Sequence, residues 1–259
     1  MRFRSLGSGS GGNATLIEAR DGPRTTRVLV DCGFTLKEAS VRLAAIGLSP
    51  GDLDGVFVTH EHGDHVGCAF SLARRHGVPL WTSRGTWRAA GMPALDDALL
   101  RFARDGEPID IGALQLRPYT VPHDAAEPLQ LTATDGHARL GLLTDAGCAT
   151  DHLVAALQRC EALLIECNHD LAMLAASRYP ASLKARIGGR LGHLANDTAA
   201  QILARCRHEG LRHVVAAHLS EQNNRPDLAA AALAGALGAA PDDVVVASQA
   251  QGFDWLDLS

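Results

Sequence analysis

Short apolar runs rich in β-branched residues recur along this chain, separated by stretches with a helical repeat. The runs predict strands at Ala14–Ala19, Thr26–Asp31, Gly55–Thr59, Leu114–Val121, Leu129–Thr134, Leu140–Thr144, Leu163–Glu166, His213–Ala217 and Val244–Ala247, with Phe3–Leu6 and Phe253–Leu256 near the ends. Between them, Val66, Ala69, Phe70 and Ala73 fall at the i, i+3, i+4, i+7 spacing of one helix face. Ala199, Ile202, Leu203 and Cys206 repeat that spacing, with Asn196 expected as the N-cap. Leu36–Ile46, Thr150–Leu157, Ser182–Ile187 and Leu228–Leu237 also read as helix. Mixed strands with helices outside predict a layered α/β fold. No repeat or low-complexity linker divides the sequence, so residues 1–259 are read as one domain. The polar stretch Gly91–Pro108 is expected to be an excursion from the core.

Composition narrows the class. With 46% hydrophobic and 20% charged residues, the sequence is that of an ordinary soluble protein. The net charge of -5 argues against a strong non-specific nucleic-acid binder and leaves room for cations beside carboxylates. No run of about 18 apolar residues predicts a membrane span, and Met1–Gly7 lacks the apolar stretch of a signal peptide. The six cysteines form no C-x-x-C pair and sit mostly among apolar residues, so they are expected to be reduced core thiols in a cytoplasmic protein.

The informative residues are the histidines. Directly after the apolar run Val56–Thr59 comes His60-Glu61-His62-Gly63-Asp64-His65, and the helix pattern starts at Val66. Ends of strands in α/β sheets are where ligands bind. The run differs from the helical zinc motif H-E-x-x-H, because Asp64 stands where the second His would be. Its ligands must converge from a loop, and mixed N and O donors suit Zn²⁺, Mn²⁺ or Fe. More ligands are needed from other strand ends. His123 follows the Leu114–Val121 strand, Asp145 follows Leu140–Thr144, and His218 follows His213–Ala217. Each alone reads as structural; their shared position after strands makes a metal site the better reading.

The segments Ser8–Thr15, Thr59–His65, Val121–Ala125, Glu166–Asp170, Gly192-His193-Leu194 and His218–Asn224 carry a closer likeness. On them the sequence resembles the metallo-β-lactamase superfamily, and within it the exonuclease-like YycJ/WalJ branch related to tRNase Z and RNase J. The resemblance implies a four-layer αββα sandwich with two divalent cations, Zn or Mn with Fe as a further candidate, between the sheets. His60, His62 and His123 would hold one cation; Asp64, His65 and His218 the other; Asp145 would bridge them. A hydroxide shared by the metals would be the nucleophile, with Asp64 or Asp145 accepting its proton. His193 would act at the leaving group or phosphate. In the position where this branch usually has Ser, the sequence has Ala195.

The resemblance also implies nucleic acid as substrate, DNA over RNA, with 5′-to-3′ polarity. Asp at position 145 and the absence of a signal peptide disfavour an exported lactamase, and the sequence is read as too short for the helical domain of a glutathione thioesterase. His169 and Asn168 are expected near substrate, with a buttressing role for His169 as the other reading. The loop Gly7–Asn13 reads as a hairpin turn whose glycines, with Ser10 among them, let backbone N–H groups approach substrate. Arg74, Arg75, Arg84 and Arg88 are further candidates for backbone contacts, although a solvated helix face is the plainer reading.

Overall fold

The computed structural model describes residues 1–258. Among them lie the strands β1 (Arg2–Gly7), β2 (Ala14–Asp21), β3 (Arg24–Val30), β4 (Gly55–Phe57), β5 (Leu80–Thr82), β6 (Leu100–Phe102), β7 (Ile109–Ile111), β8 (Leu114–Thr120), β9 (Leu129–Thr134), β10 (Arg139–Leu143), β11 (Ala162–Glu166), β12 (His213–Ala217), β13 (Val245–Val246) and β14 (Phe253–Asp257). The helices are α1 (Leu36–Ala44), α2 (Gly63–Val66), α3 (Ala69–His76), α4 (Arg84–Ala89), α5 (Asp151–Ala156), α6 (Leu171–Ala176), α7 (Ala181–Ile187), α8 (Asn196–Cys206) and α9 (Pro226–Leu237).

The strands form two seven-stranded sheets, in the orders β14-β1-β2-β3-β4-β5-β6 and β13-β12-β11-β10-β9-β8-β7. Each sheet is antiparallel in one half and parallel in the other. In the first, the parallel half runs from β3 to β6; in the second, from β10 to β13. This mirrored plan was invisible as a sequence repeat.

Side-chain alternation along each strand sorts residues into layers. Val28 and Val30 join Phe3, Phe57, Leu131 and Leu164 in a core between the sheets, while Leu29 turns to the outer face beneath α1 and α3. On β11, Leu164 faces inward, whereas Leu163 and Ile165 pack outward with Leu203 of α8 and Leu233 of α9. The parallel strands are therefore apolar on both faces, as helix-covered sheets require. The result is the four-layer αββα sandwich.

Two local expectations are corrected. Asn196 is the first residue of α8 and Ala195 its N-cap. The Asn196 side chain instead exchanges hydrogen bonds with Asn224 at 3.0 and 2.8 Å, tying α8 to the chain after β12. The stretch Gly91–Pro108 is not wholly an excursion, because Leu100–Phe102 forms the edge strand β6, parallel to β5. Three residues ending beside Arg104 and Asp105 are too few to show a two-residue alternation. Of the six cysteines, five are buried and Cys148 is half-buried. No helix among the described residues is long and apolar enough to cross a membrane.

Candidate metal centre

The histidine loop is fixed from behind. Thr59, just past β4, donates its backbone N–H and hydroxyl to Asp31 at 2.8 and 3.0 Å. Asp31 also accepts from His65 Nδ1 at 2.8 Å, which sets the tautomer and leaves Nε2 as the outward donor atom. The backbone of Asp64 and His65 is pinned by Asn13 N–H at 2.8 Å and Cys32 N–H at 2.9 Å. Gly33 is needed at this crossing: a Cβ there would lie 1.8 Å from the Asp64 carbonyl oxygen.

Other ligands come from strand ends, as expected. His123, after β8, donates from Nδ1 to the Gly192 carbonyl at 2.9 Å, and its Nε2 lies 3.2 Å from His62 Nδ1. Asp145 follows β10 and His218 follows β12. Asp31, Asp145 and His218 all have positive φ, near 60°, 59° and 55°. For non-glycine residues this is an uncommon, strained conformation. Three such residues in one site indicate that the fold holds the chain there to turn these side chains inward.

Four overlapping groups of donor atoms result, each within 4.8 Å of one another: His60, His62 and His123; His60, His65 and Asp145; Asp64, His65 and His218; and Asp145, Glu166, His193 and His218. All seven ligands expected from the sequence are thus brought together, with Asp145 lying between the two sets. The atoms fit cations better than they fit one another. His60 Nε2 is buried without a partner. Asp145 Oδ2 lies 2.6 Å from His65 Nε2 yet has no properly directed hydrogen bond. Converging donors that face one another without satisfying one another match a divalent-cation site.

Electrostatics divide the imidazoles. Burial pushes His60 and His123 below the usual histidine range, so they stay neutral and ready to ligate. Burial opposes charge on His65 and His218 too, but Asp145 chiefly overrides it and carries both up to about 10. Asp145 itself is driven well below the carboxylate range despite burial, chiefly by His218 and His65.

Glu166 is a site residue that the sequence reading did not single out. It is fully buried at the end of β11. One oxygen accepts from His193 Nδ1 at 2.7 Å and His218 Nδ1 at 3.2 Å. The other accepts the backbone N–H groups of Ala146 at 2.9 Å and Leu194 at 3.1 Å. Asp31 was likewise missed. The available signal was the same for both: a lone carboxylate closing an apolar run, in Val28-Leu29-Val30-Asp31 and Leu163-Leu164-Ile165-Glu166.

His193 lines a cleft of about 270 Å³ with Ser10, His62, Asp64, Asp145 and His218. Its Nδ1 is held by Glu166 and lies 3.0 Å from Asp145, so Nε2 is the ring atom left without a protein partner. Burial opposes its charge, but Glu166 above all and Asp145 raise it to about 11. Asn168 and His169 stand back from this cleft. Asn168 donates to the His218 carbonyl at 3.2 Å. His169 is buried, and burial lowers its pKa. In the Gly7–Asn13 turn, the N–H groups of Gly9, Gly11 and Gly12 are bonded to Asn13, Gln249 and Gly9, so these three do not face substrate. Arg74, Arg75, Arg84 and Arg88 do not line the cleft; Arg186 does.

Fold and site define a hydrolase that works through divalent cations. Residues 7–158 match the metallo-beta-lactamase superfamily, and the chain belongs to that family. It is 33% identical over 233 residues to exodeoxyribonuclease YycJ of Bacillus anthracis, a match covering 88% of this chain and 86% of that protein. It is 31% identical over 233 residues to exodeoxyribonuclease WalJ of Streptococcus pneumoniae, covering 88% and 85% of the two. Among solved structures, the metallo-beta-lactamase fold protein YhfI from Bacillus subtilis superimposes with a TM-score of 0.72 at 18% identity, covering 98% of each chain. The protein is a metal-dependent hydrolase of this superfamily.

Proposed function

We propose that the protein is a cytoplasmic exonuclease that hydrolyses phosphodiester bonds in DNA from the 5′ end, acting as one domain over residues 1–259. Its similarity to two exodeoxyribonucleases over most of its length supports the substrate class. The observation that carries the chemistry is His193, which lines the cleft while its Nδ1 is anchored on Glu166.

His60, His62 and His123 would hold one Zn²⁺ or Mn²⁺, and Asp64, His65 and His218 a second, with Asp145 shared. Bound divalent cations lower the pKa of water from about 15.7 towards roughly 7 and offset charge building on the phosphate. Asp64 or Asp145, both at the cleft wall, would take the proton released by the attacking water. His193 delivers a proton from Nε2 to the leaving oxygen, and Glu166 keeps the ring charged and aimed. Such proton transfer contributes on the order of 10²–10⁴ in rate.

The test is digestion of end-labelled duplex DNA and single-stranded RNA of one sequence. Protein stripped of metal is reloaded with Zn²⁺ or Mn²⁺, and Asp145→Ala is the control. Metal-dependent shortening of DNA from the 5′ end, absent in the control, is expected. Cleavage of RNA alone would overturn the DNA assignment, and cleavage of neither would overturn the nuclease reading.

A further inference from the structure

The segment 171–192, which contains α6 and α7, carries a net positive charge and borders the cleft. It carries Arg178, Lys184, Arg186 and Arg190, and none of the chain's 29 acidic residues. Yet the whole chain has a net charge of -5. No side chain of α7 is fully buried, although Leu183 and Ile187 are half-buried. Backbone contacts help hold the segment: His193 N–H bonds the Ile187 carbonyl at 2.8 Å, and Asp124 N–H bonds the Leu191 carbonyl at 2.9 Å. At Gly147, two residues after Asp145, a Cβ would lie 2.3 Å from the Arg190 carbonyl, so the segment rests directly on the metal-centre loop.

The cations differ in availability. Lys184 Nζ is tied to the Ala175 carbonyl at 2.6 Å and fastens α7 to α6. Arg178 and Arg190 are exposed and make no ion pair among the described residues. Arg186 lines the cleft and pairs with Asp124 at 2.6 Å, with its side chain 62% exposed. An ion pair so exposed is weak and easily exchanged. Asp124 in turn lies 3.8 Å from His62 Nε2 and 3.6 Å from His123 Nε2. Arg186 thus stands one carboxylate away from the ligand histidines, and a phosphate entering the cleft offers its planar fork a better, bidentate partner.

We infer that Arg178, Arg186 and Arg190 form a binding track for the phosphodiester backbone of a nucleic-acid strand, in which Arg186 exchanges Asp124 for a phosphate beside the metal centre. This rests on the phosphodiesterase reading above and adds the surface that grips the polymer. It also reconciles an acidic chain with a polyanionic substrate, because an acid-free basic segment borders the cleft.

The experiment measures kcat and KM of the metal-loaded enzyme on a labelled oligonucleotide across a salt series. Arg178→Ala/Arg190→Ala is the main variant, because neither residue has an ion-pair partner to disturb. Arg186→Ala and Arg186→Lys complete the set, and Arg205→Ala on α8, outside the cleft, is the control. Two lost phosphate contacts should reduce the slope of log KM against log salt by about 1.4 for a single strand and raise KM at least about tenfold, with kcat little changed. Arg186→Lys should recover only part of the loss of Arg186→Ala. An active wild-type enzyme whose KM and salt slope survive in the double variant overturns the track alone. A wild-type enzyme inactive on every oligonucleotide overturns the track together with the nuclease reading.

Discussion

Replacing Glu166 by Gln tests the architecture behind the metal centre. The change preserves shape, but an amide has one acceptor oxygen where the carboxylate has two. Glu166 receives four donors, two imidazole N–H groups on one oxygen and two backbone N–H groups on the other. Whichever way the amide turns, its NH₂ faces two of them. Hydrogen bonds to a charged group contribute about 1.5–3 kcal/mol each, so losing two costs about 3–6 kcal/mol in the metal-free protein. At this chain length that lowers Tm by roughly 6–24 °C. The variant also removes the carboxylate that does most to raise His193. The alkaline limb of kcat should therefore move down by more than about one pH unit. At neutral pH, below that limb, the loss of kcat should stay well under the roughly 10²–10⁴-fold expected from removing the proton donor itself. Calorimetry of the metal-free protein and a pH profile of kcat provide the readouts. A variant with wild-type Tm and an unshifted alkaline limb would refute the role given to Glu166.

Asp31→Asn, which weakens the bond orienting His65, should reduce metal affinity about 10–100-fold by competition with a chromophoric chelator while the fold persists. His193→Ala should retain metal by elemental analysis yet lose turnover, and a fully active variant would remove His193 from the mechanism. Acid should weaken metal binding, because His65 and His218 sit near about 10 without a cation and must shed protons to ligate. Calorimetric titrations in buffers of different ionisation enthalpy should therefore register proton release. For the metal-free protein, the imidazolium pairs of His65 and His218 contribute fully below their ordinary value of 6.5 and are lost as pH rises through about 10. Its Tm should fall over that window, and added metal should reverse the fall.

The parts legible in the sequence were those with a strong local pattern. Apolar strands ending in a histidine or carboxylate, with the histidine run after one of them, pointed to the sheet ends and to candidate ligands that the folded chain brings together, because strand ends in α/β sheets open onto ligand sites. The elements missed were short: β5, β6 and β7 have three residues each, and α4 and α6 six, too few for a periodicity to appear. Glu166 and Asp31 were missed for a different reason. Their partners, His193 and His65, lie 27 and 34 residues away, and only the folded chain brings them together. Asn196 looked like a cap because caps are recognised locally, whereas its actual partner, Asn224, is 28 residues away. The candidate arginines were sought next to the histidine loop, but the cation at the cleft, Arg186, comes from a segment without a strand signal.

The central claim, a pair of divalent cations working on a phosphodiester, is tested most directly by stepwise metal titration of stripped protein while cleavage of end-labelled DNA is followed in parallel. Two equivalents should bind, with cleavage emerging as the second is taken up, and Asp145→Ala should abolish the cleavage and lose at least one of the two. Full cleavage at one equivalent, or cleavage that persists in the stripped protein, would contradict the account.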